Sequence, residues 1–275
     1  MPSQVESRRR RLAADTEIRE FRRACYNTAM STPCALCFLL VAILLTSCRA
    51  TGPSGGGADI QRLEYRKVEP TGERPADGWP VVIFLHGAGE RGDDLSLVAV
   101  HGPLKVREEI PELQQCVILA PQCPLQTWWQ MDSMQVFLDD VLARDDIDPD
   151  RIYLTGLSMG GYGTWHLIAR FPDRFAAAVP VCGGGELSRV YRDRPTGFDM
   201  EGLLRARDLP IGVFHGEADS VIPVSESQVL VDALREVDAN VEFTIYPGVG
   251  HDSWTETYAN PELWKWMFQQ DRGAR

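Results

Sequence analysis

Residues 151–171, RIYLTGLSMGGYGTWHLIARF, read as a strand, a sharp turn and a helix in immediate succession. RIYLTG is a short run of strand-formers closed by glycine, and the residues from Gly160 onward carry apolar side chains at helical spacing. Ser158 falls at the junction, inside the pattern Gly156-x-Ser158-x-Gly160. A serine there sits on a strained turn, and residues 156 and 160 must be small for strand and helix to pass closely. Its hydroxyl stands at a helix N-terminus, where unpaired N–H groups and the helix dipole favour developing negative charge. A five-residue pattern with three fixed positions also recurs by chance, so its meaning depends on the rest of the chain.

The alternation of strand and helix extends from Val81 onward. Candidate strands are VVIFLHG (81–87), CVILAPQ (116–122), RIYLTGLS (151–158), FAAAVPVCG (175–183), IGVFHG (211–216) and VEFTIYP (241–247). Short apolar runs separated by amphipathic helices specify a mostly parallel twisted sheet with helices on both faces. IQRLEYRKV (60–68) is expected as an antiparallel edge strand. SMQVFLDDVLARD (133–145) predicts a helix with Asp132 as N-cap and Val136, Phe137, Val141 and Leu142 near one face. VSESQVLVDALREVD (224–238) repeats the pattern through Val229, Leu230, Ala233, Leu234 and Val237. The last helix is expected to use Asn260 as cap and Pro261 as first residue, burying Leu263, Trp264, Met267 and Phe268. The connection between Gly185 and Ile211 is only about 25 residues, too short for a large cap domain. A small cap or none leaves an open cleft.

The 275 residues carry a net charge of −11, with 44% hydrophobic and 24% charged residues, ordinary for a globular protein with a substantial core. Residues 1–47 hold seven arginines against four acids, so the remainder has 21 Lys and Arg against 35 Asp and Glu, a net −14. Such a surface repels nucleic acid and anionic membrane, and nucleic-acid partners are set aside. CALCFLLVAILL (34–45) is an uncharged run of signal-peptide length, shorter than the roughly 20 residues of a membrane span. The residues that follow, Leu45-Thr46-Ser47-Cys48, resemble a lipobox. That resemblance implies cleavage before Cys48 and acylation of it, an anchor of two or more chains that holds stably; an ordinary signal peptide or an uncleaved anchor is the alternative. Expected domains are a signal peptide (1–47), a lipidated cysteine with a flexible linker containing TGPSGGG (48–58), and a catalytic domain (59–275). The expected placement is the cell envelope, with membrane contact only through that anchor. Cys116 and Cys123 bracket a strand too long to let them pair, and with Cys182 they are expected as buried free thiols. No paired CxxC or similar spacing suggests a metal, and no cofactor is expected.

A serine hydroxyl needs a base, and the base needs an orienting acid. In α/β-hydrolases these follow the nucleophile in the order acid, then base. His86 and His101 precede Ser158, His166 rides away along the helix, and His215 has its nearest acids after it. His251, in GVGHDSW, remains as the base. HGEADSVIP (215–223) offers Asp219 as the acid, matching the HG-x-x-D-x-x-[VI]-P turn, with Glu217 as runner-up. FLHGAGERG (84–92) resembles the HG loop that donates one oxyanion-hole N–H, from Ala88, while Met159 donates the other. His86 is assigned to the loop backbone. Trp128, Trp129, Tyr162 and Trp254 lie near these strand ends, either contacting substrate or, for Tyr162 and Trp254 especially, packing the loops.

Taken together, VVIFLHGAGERG, APQCP, DRIYLTGLSMGGYGTW, FHGEAD and YPGVGHDSWTETY resemble the bacterial esterase and predicted-peptidase group related to prolyl-oligopeptidase-type and feruloyl-esterase-like α/β-hydrolases, over nearly all of residues 60–270. The resemblance implies the α/β-hydrolase fold and makes Ser158 nucleophile, Asp219 acid and His251 base. It implies hydrolysis of carboxylic esters, phenolic or acylated-sugar, on small molecules or on a polymer. A serine peptidase of the same mechanism is the second expectation, and an inactive hydrolase-fold binding protein the third.

Overall fold

The computed structural model describes residues 60–186 and 197–275. The signal-like segment, Cys48 and the TGPSGGG linker lie outside the described residues, as do residues 187–196 of the connection to Ile211. Seven strands form one sheet: β1 Tyr65–Val68, β2 Trp79–Leu85, β3 Val117–Pro121, β4 Ile147–Leu157, β5 Ala177–Val181, β6 Ile211–Gly216 and β7 Val241–Tyr246. Their order across the sheet is β1-β3-β2-β4-β5-β6-β7. β1 is antiparallel to β3, with Tyr65 opposite Pro121, and the other neighbouring pairs are parallel. This is the α/β-hydrolase fold. The eight described helices are α1 Gly102–Val106, α2 Pro111–Gln114, α3 Met131–Leu142, α4 Met159–Arg170, α5 Met200–Arg205, α6 Ser225–Arg235, α7 Trp254–Ala259 and α8 Pro261–Phe268. Among the described residues no helix is long and apolar enough to cross a membrane.

The sheet is covered on both sides, and its central strand β2 is buried from Pro80 to Leu85. Successive side chains of a strand point to opposite faces, and β2 divides accordingly. Val81, Ile83 and Leu85 join a core with Phe137, Leu138 and Val141 of α3, Trp165 and Ile168 of α4, and Leu230 and Leu234 of α6. Val82 and Phe84 join a second core with Leu113 of α2, Tyr258 of α7, and Leu263, Trp264 and Met267 of α8. The α8 cap is as expected: the Asn260 side chain accepts from Glu262 N–H and Pro261 opens the helix.

Two helix details differ from expectation. α3 starts two residues earlier, with Gln130 rather than Asp132 at the cap, and Met134 N–H donates to Gln130 C=O at 2.9 Å. Asp132 lies in the first turn and pairs instead with Arg170 of α4 at 2.8 Å. The buried stripe of α6 is Ser227, Leu230, Val231 and Leu234, with Glu226 beside it, while Val229 faces solvent at 40% exposure. The hydrophobic period identifies a helix, and the face it buries also carries Ser227, whose hydroxyl is 2.8 Å from a buried histidine, His215. Cys116, Cys123 and Cys182 are all buried and free.

Candidate active site

Ser158 occupies the single residue between β4 and α4, at φ 53° and ψ −116°. A non-glycine residue there costs of order 1–3 kcal/mol and persists only where its surroundings impose it. Ser158 N–H donates to Val181 C=O of β5 at 3.0 Å, and its own carbonyl accepts from Tyr162 N–H at 3.1 Å. A Cβ at Gly160 would fall on the carbonyl oxygen of Leu85, so only glycine lets α4 leave so close to the end of β2. Met159 is the first residue of α4, and the N–H there has no acceptor within its own helix.

β6 and β7 end beside the same edge and deliver the other two groups. After Gly216 the chain turns so that Asp219 Oδ1 accepts from the N–H groups of Val221 and Ile222, each at 2.9 Å. Asp219 Oδ2 is 2.7 Å from His251 Nδ1, and His251 Nε2 is 3.0 Å from Ser158 Oγ. A carboxylate only accepts, so Nδ1–H donates to it and Nε2 keeps its lone pair toward the serine hydroxyl. Burial by itself would raise the Asp219 carboxyl, but hydrogen bonds from His215 and His251 and the two turn N–H groups outweigh it. They hold Asp219 well below the usual carboxylate range. Glu217, the alternative acid, is exposed and accepts from Gly248 N–H at 2.9 Å, tying the two loops together. The structure therefore brings Ser158, Asp219 and His251 into one chain of contacts and leaves Glu217 outside it.

The acid-then-base order excludes His215, because its nearest acids follow it in the chain. It is fully buried, with Nε2 2.9 Å from Ile222 C=O and 3.3 Å from Asp219 Oδ2. Its Nδ1 is 2.8 Å from Ser227 Oγ, which donates to Gly183 C=O. His215 thus fastens the Asp219 turn to α6 and to the end of β5. The spacing His215-x-x-x-Asp219, at the end of a strand, was the available signal.

The loop after β2 forms the opposite wall. Ala88 begins a 3₁₀ turn, Ala88–Glu90, capped by Gly87, and a Cβ at Gly87 would lie 3.8 Å from Ser158 Cβ. Three side chains bolt this loop to the end of β3. His86 Nδ1 donates to Gly87 C=O at 2.6 Å and Nε2 accepts from Cys123 N–H at 3.0 Å. Arg91 donates to Ala88 C=O at 2.9 Å and to Thr127 C=O at 3.1 Å. Gln122 donates to Glu90 C=O and Asp94 C=O, both at 2.9 Å. The motifs GERG and APQCP thus supply the two halves of one clamp, a role their sequence did not disclose.

The four aromatic candidates divide. Trp129 is 7% exposed and packs on the His86 ring with centroids 4.9 Å apart, and Tyr162 is buried edge-on to the half-buried Trp128. Together with Met159, His166 and Arg170 these three line a cavity of about 300 Å³ along one face of α4. Trp254 lies apart from them, edge-on between the His251 and His101 rings at 5.3 and 5.5 Å. His166 points away and bonds Gly185 C=O. Burial pushes the Cys182 thiol far up, so it stays protonated at the floor of the site.

Residues 128–270, just over half of the chain, match the prolyl oligopeptidase family. The chain belongs to that family. Among solved structures, this prolyl oligopeptidase family member is similar to a thermostable esterase, at 39% identity and TM-score 0.64, with 75% of this chain and 59% of that one covered. It spans less than two thirds of that esterase. Curated relatives include acyl-protein thioesterase 1 of Gibberella zeae, 22% identical over 62% of this chain and 83% of the relative. A probable carboxylesterase of Oryza sativa subsp. japonica is 25% identical over 66% of this chain and 84% of the relative.

Proposed function

We propose that this prolyl oligopeptidase family member hydrolyses carboxylic esters through an acyl-enzyme on Ser158. That it is an enzyme, a serine hydrolase, follows from its family, and the esterase type from its relatives. The finer reading is carried by one observation, the contacts from Asp219 Oδ2 to His251 Nδ1 and from His251 Nε2 to Ser158 Oγ at 2.7 and 3.0 Å. Ser158 Oγ attacks the ester carbonyl as its proton passes to His251 Nε2. Asp219 fixes the tautomer and stabilises the imidazolium. The N–H groups of Ala88 and Met159 receive the oxyanion, where losing one donor costs about a hundredfold or more in turnover. His251 then returns the proton to the departing alcohol and takes another from the water that cleaves the acyl-enzyme.

We assign phenolic or acylated-carbohydrate esters, small or polymer-attached, as the substrate class, with the aromatic side chains of Trp128, Trp129, Tyr162 and Trp254 around the cleft as candidate contacts. Burst release of p-nitrophenol from the acetate or butyrate ester should vanish in Ser158→Ala; an undiminished rate there ends the proposal. The family name favours a peptidase as second reading, and cleavage of a peptide amide as fast as the ester would establish it. Envelope placement is proposed on residues 34–48 alone: a mature chain that does not begin at Cys48, or carries no acyl mass, refutes the anchor.

A further inference from the structure

A thiol stands beside the proposed relay that the hydrolytic cycle does not use. Cys182 follows β5, which lies between β4, carrying Ser158, and β6, leading to Asp219. Leu157 is registered with Val181, Val181 with Phe214, and Cys182 N–H donates to Phe214 C=O at 2.8 Å. The residue takes a positive φ of 39° at this edge. Its Sγ, a carboxylate oxygen of Asp219 and a ring nitrogen of His251 all lie within 4.8 Å of one another. The other two described thiols lack such company: Cys116 Sγ donates to Leu113 C=O, and Cys123 Sγ contacts Thr127 Oγ1 at 3.3 Å.

We propose that Cys182, Asp219 and His251 form a binding site for a thiophilic divalent cation, zinc or cadmium, whose occupancy switches the hydrolase off. A thiolate, a carboxylate and an imidazole are a donor set that suits zinc, which takes sulfur at about 2.3 Å and nitrogen or oxygen at about 2.0–2.2 Å. Donors gathered within 4.8 Å of one another must still draw together to meet one cation at those bond lengths, and the His251 ring is the most exposed of the three. That ring is 20% exposed and is carried on the loop containing Gly248 and Gly250. The proton balance explains inhibition. The cation displaces the Cys182 thiol proton to solvent, and Asp219 exchanges its hydrogen bond from Nδ1–H for a metal bond. His251 Nδ1 can donate its lone pair to the cation only if its proton is transferred through solvent to Nε2. Nε2–H then faces Ser158 and cannot accept the hydroxyl proton.

This inhibition rests on the proposed catalytic reading, whereas the binding site does not, and the test separates them. The full chain is titrated with zinc or cadmium chloride, following p-nitrophenyl butyrate hydrolysis and, for cadmium, the ultraviolet thiolate-to-metal charge-transfer band. Cys182→Ser should need roughly tenfold or more cation for half-inhibition, read against its own metal-free rate. It should also lack the band seen in the wild-type difference spectrum, with the other cysteines cancelling. Chelation should restore wild-type activity, and Cys182→Ala, checked for folding by circular dichroism, repeats the comparison. Equal inhibition of wild type and both variants, or no charge transfer from Cys182, overturns the proposal. A chain that turns over no ester yet shows the Cys182 band would sink the catalytic reading and keep the site.

Discussion

Asp219→Asn places the greatest demand on the hydrogen-bond pattern of the site. An amide offers one acceptor end and one donor end where a carboxylate offers two acceptors. Oδ1 already serves the N–H groups of Val221 and Ile222, each at 2.9 Å, so the amide oxygen must stay there. Its NH₂ then replaces Oδ2, facing His251 Nδ1 at 2.7 Å and His215 Nε2 at 3.3 Å. Both nitrogens donate in the wild type. Relief comes when His251 moves its proton to Nε2 and accepts from the amide, which turns an N–H toward Ser158 and removes the base. Recovering the productive tautomer costs a lost hydrogen bond and a donor–donor contact, about 1–3 kcal/mol each. The imidazolium also loses its counter-charge. Together these place the loss in kcat near 10⁴-fold, about 5 kcal/mol. KM should barely move, since the buried Asp219 side chain is screened from substrate by His251. The assay is kcat and KM for p-nitrophenyl butyrate in wild type, Asp219→Asn and Asp219→Ala. Alanine removes the acceptor without installing a donor, so it should be no worse than asparagine. An asparagine variant that keeps more than about a tenth of kcat, or clearly outperforms alanine, refutes this account.

His86 should make the fold acid-sensitive between pH 6.5 and about 4. Burial lowers its pKa from 6.5 to about 4, with the Arg91 charge adding to the effect and the Gly87 carbonyl opposing it. The unfolded chain therefore takes up this proton first, and the contribution is complete above pH 6.5, is lost as pH falls toward 4 and levels off below. At 1.36 kcal/mol per pH unit the loss is roughly 3 kcal/mol. Urea denaturation at both ends of that window should show a slope that His86→Gln reduces; an identical slope in the variant would contradict it. Arg91→Lys retains charge but cannot bond Ala88 C=O and Thr127 C=O in the same fork. If Ala88 N–H is displaced by even about 1 Å, kcat should fall up to a hundredfold with KM nearly constant. A purely structural role for Arg91 would instead show as a lower Tm with kcat preserved.

The sequence disclosed what depends on local pattern and withheld what depends on rotation and reach. Strands were legible because their apolar runs end in glycine, proline or polar residues, and β6 was expected at its observed limits, 211–216. The Asn260-Pro261 cap was legible because its chemistry is complete within three residues. The face of α6 was not, because helical spacing permits neighbouring stripes, and Val231 rather than Val229 is buried on the face whose Ser227 meets His215 across the chain. For the same reason Arg91 and Gln122 could be quoted as motif letters without a role, since their partners lie 36 and 32 residues away.

Chain order also concealed the environment of Asp219. Searching for an acid followed by a base discards His215, yet the sheet sets it beside Asp219, and β5 sets Cys182 within reach of the same carboxylate. Asp219 is therefore shared: two turn N–H groups on one oxygen, and on the other His251 with His215 at longer range. Sharing fixes the orientation of the carboxylate. It also leaves no unused lone pair in the right direction for an amide substitute. A second imidazole at Asp219, rather than the serine motif alone, thus makes the orientation of His251 depend on three strand ends at once, β5, β6 and β7. A change at Ser227, on the buried face of α6, should for that reason reach His251 through His215 before it reaches Ser158.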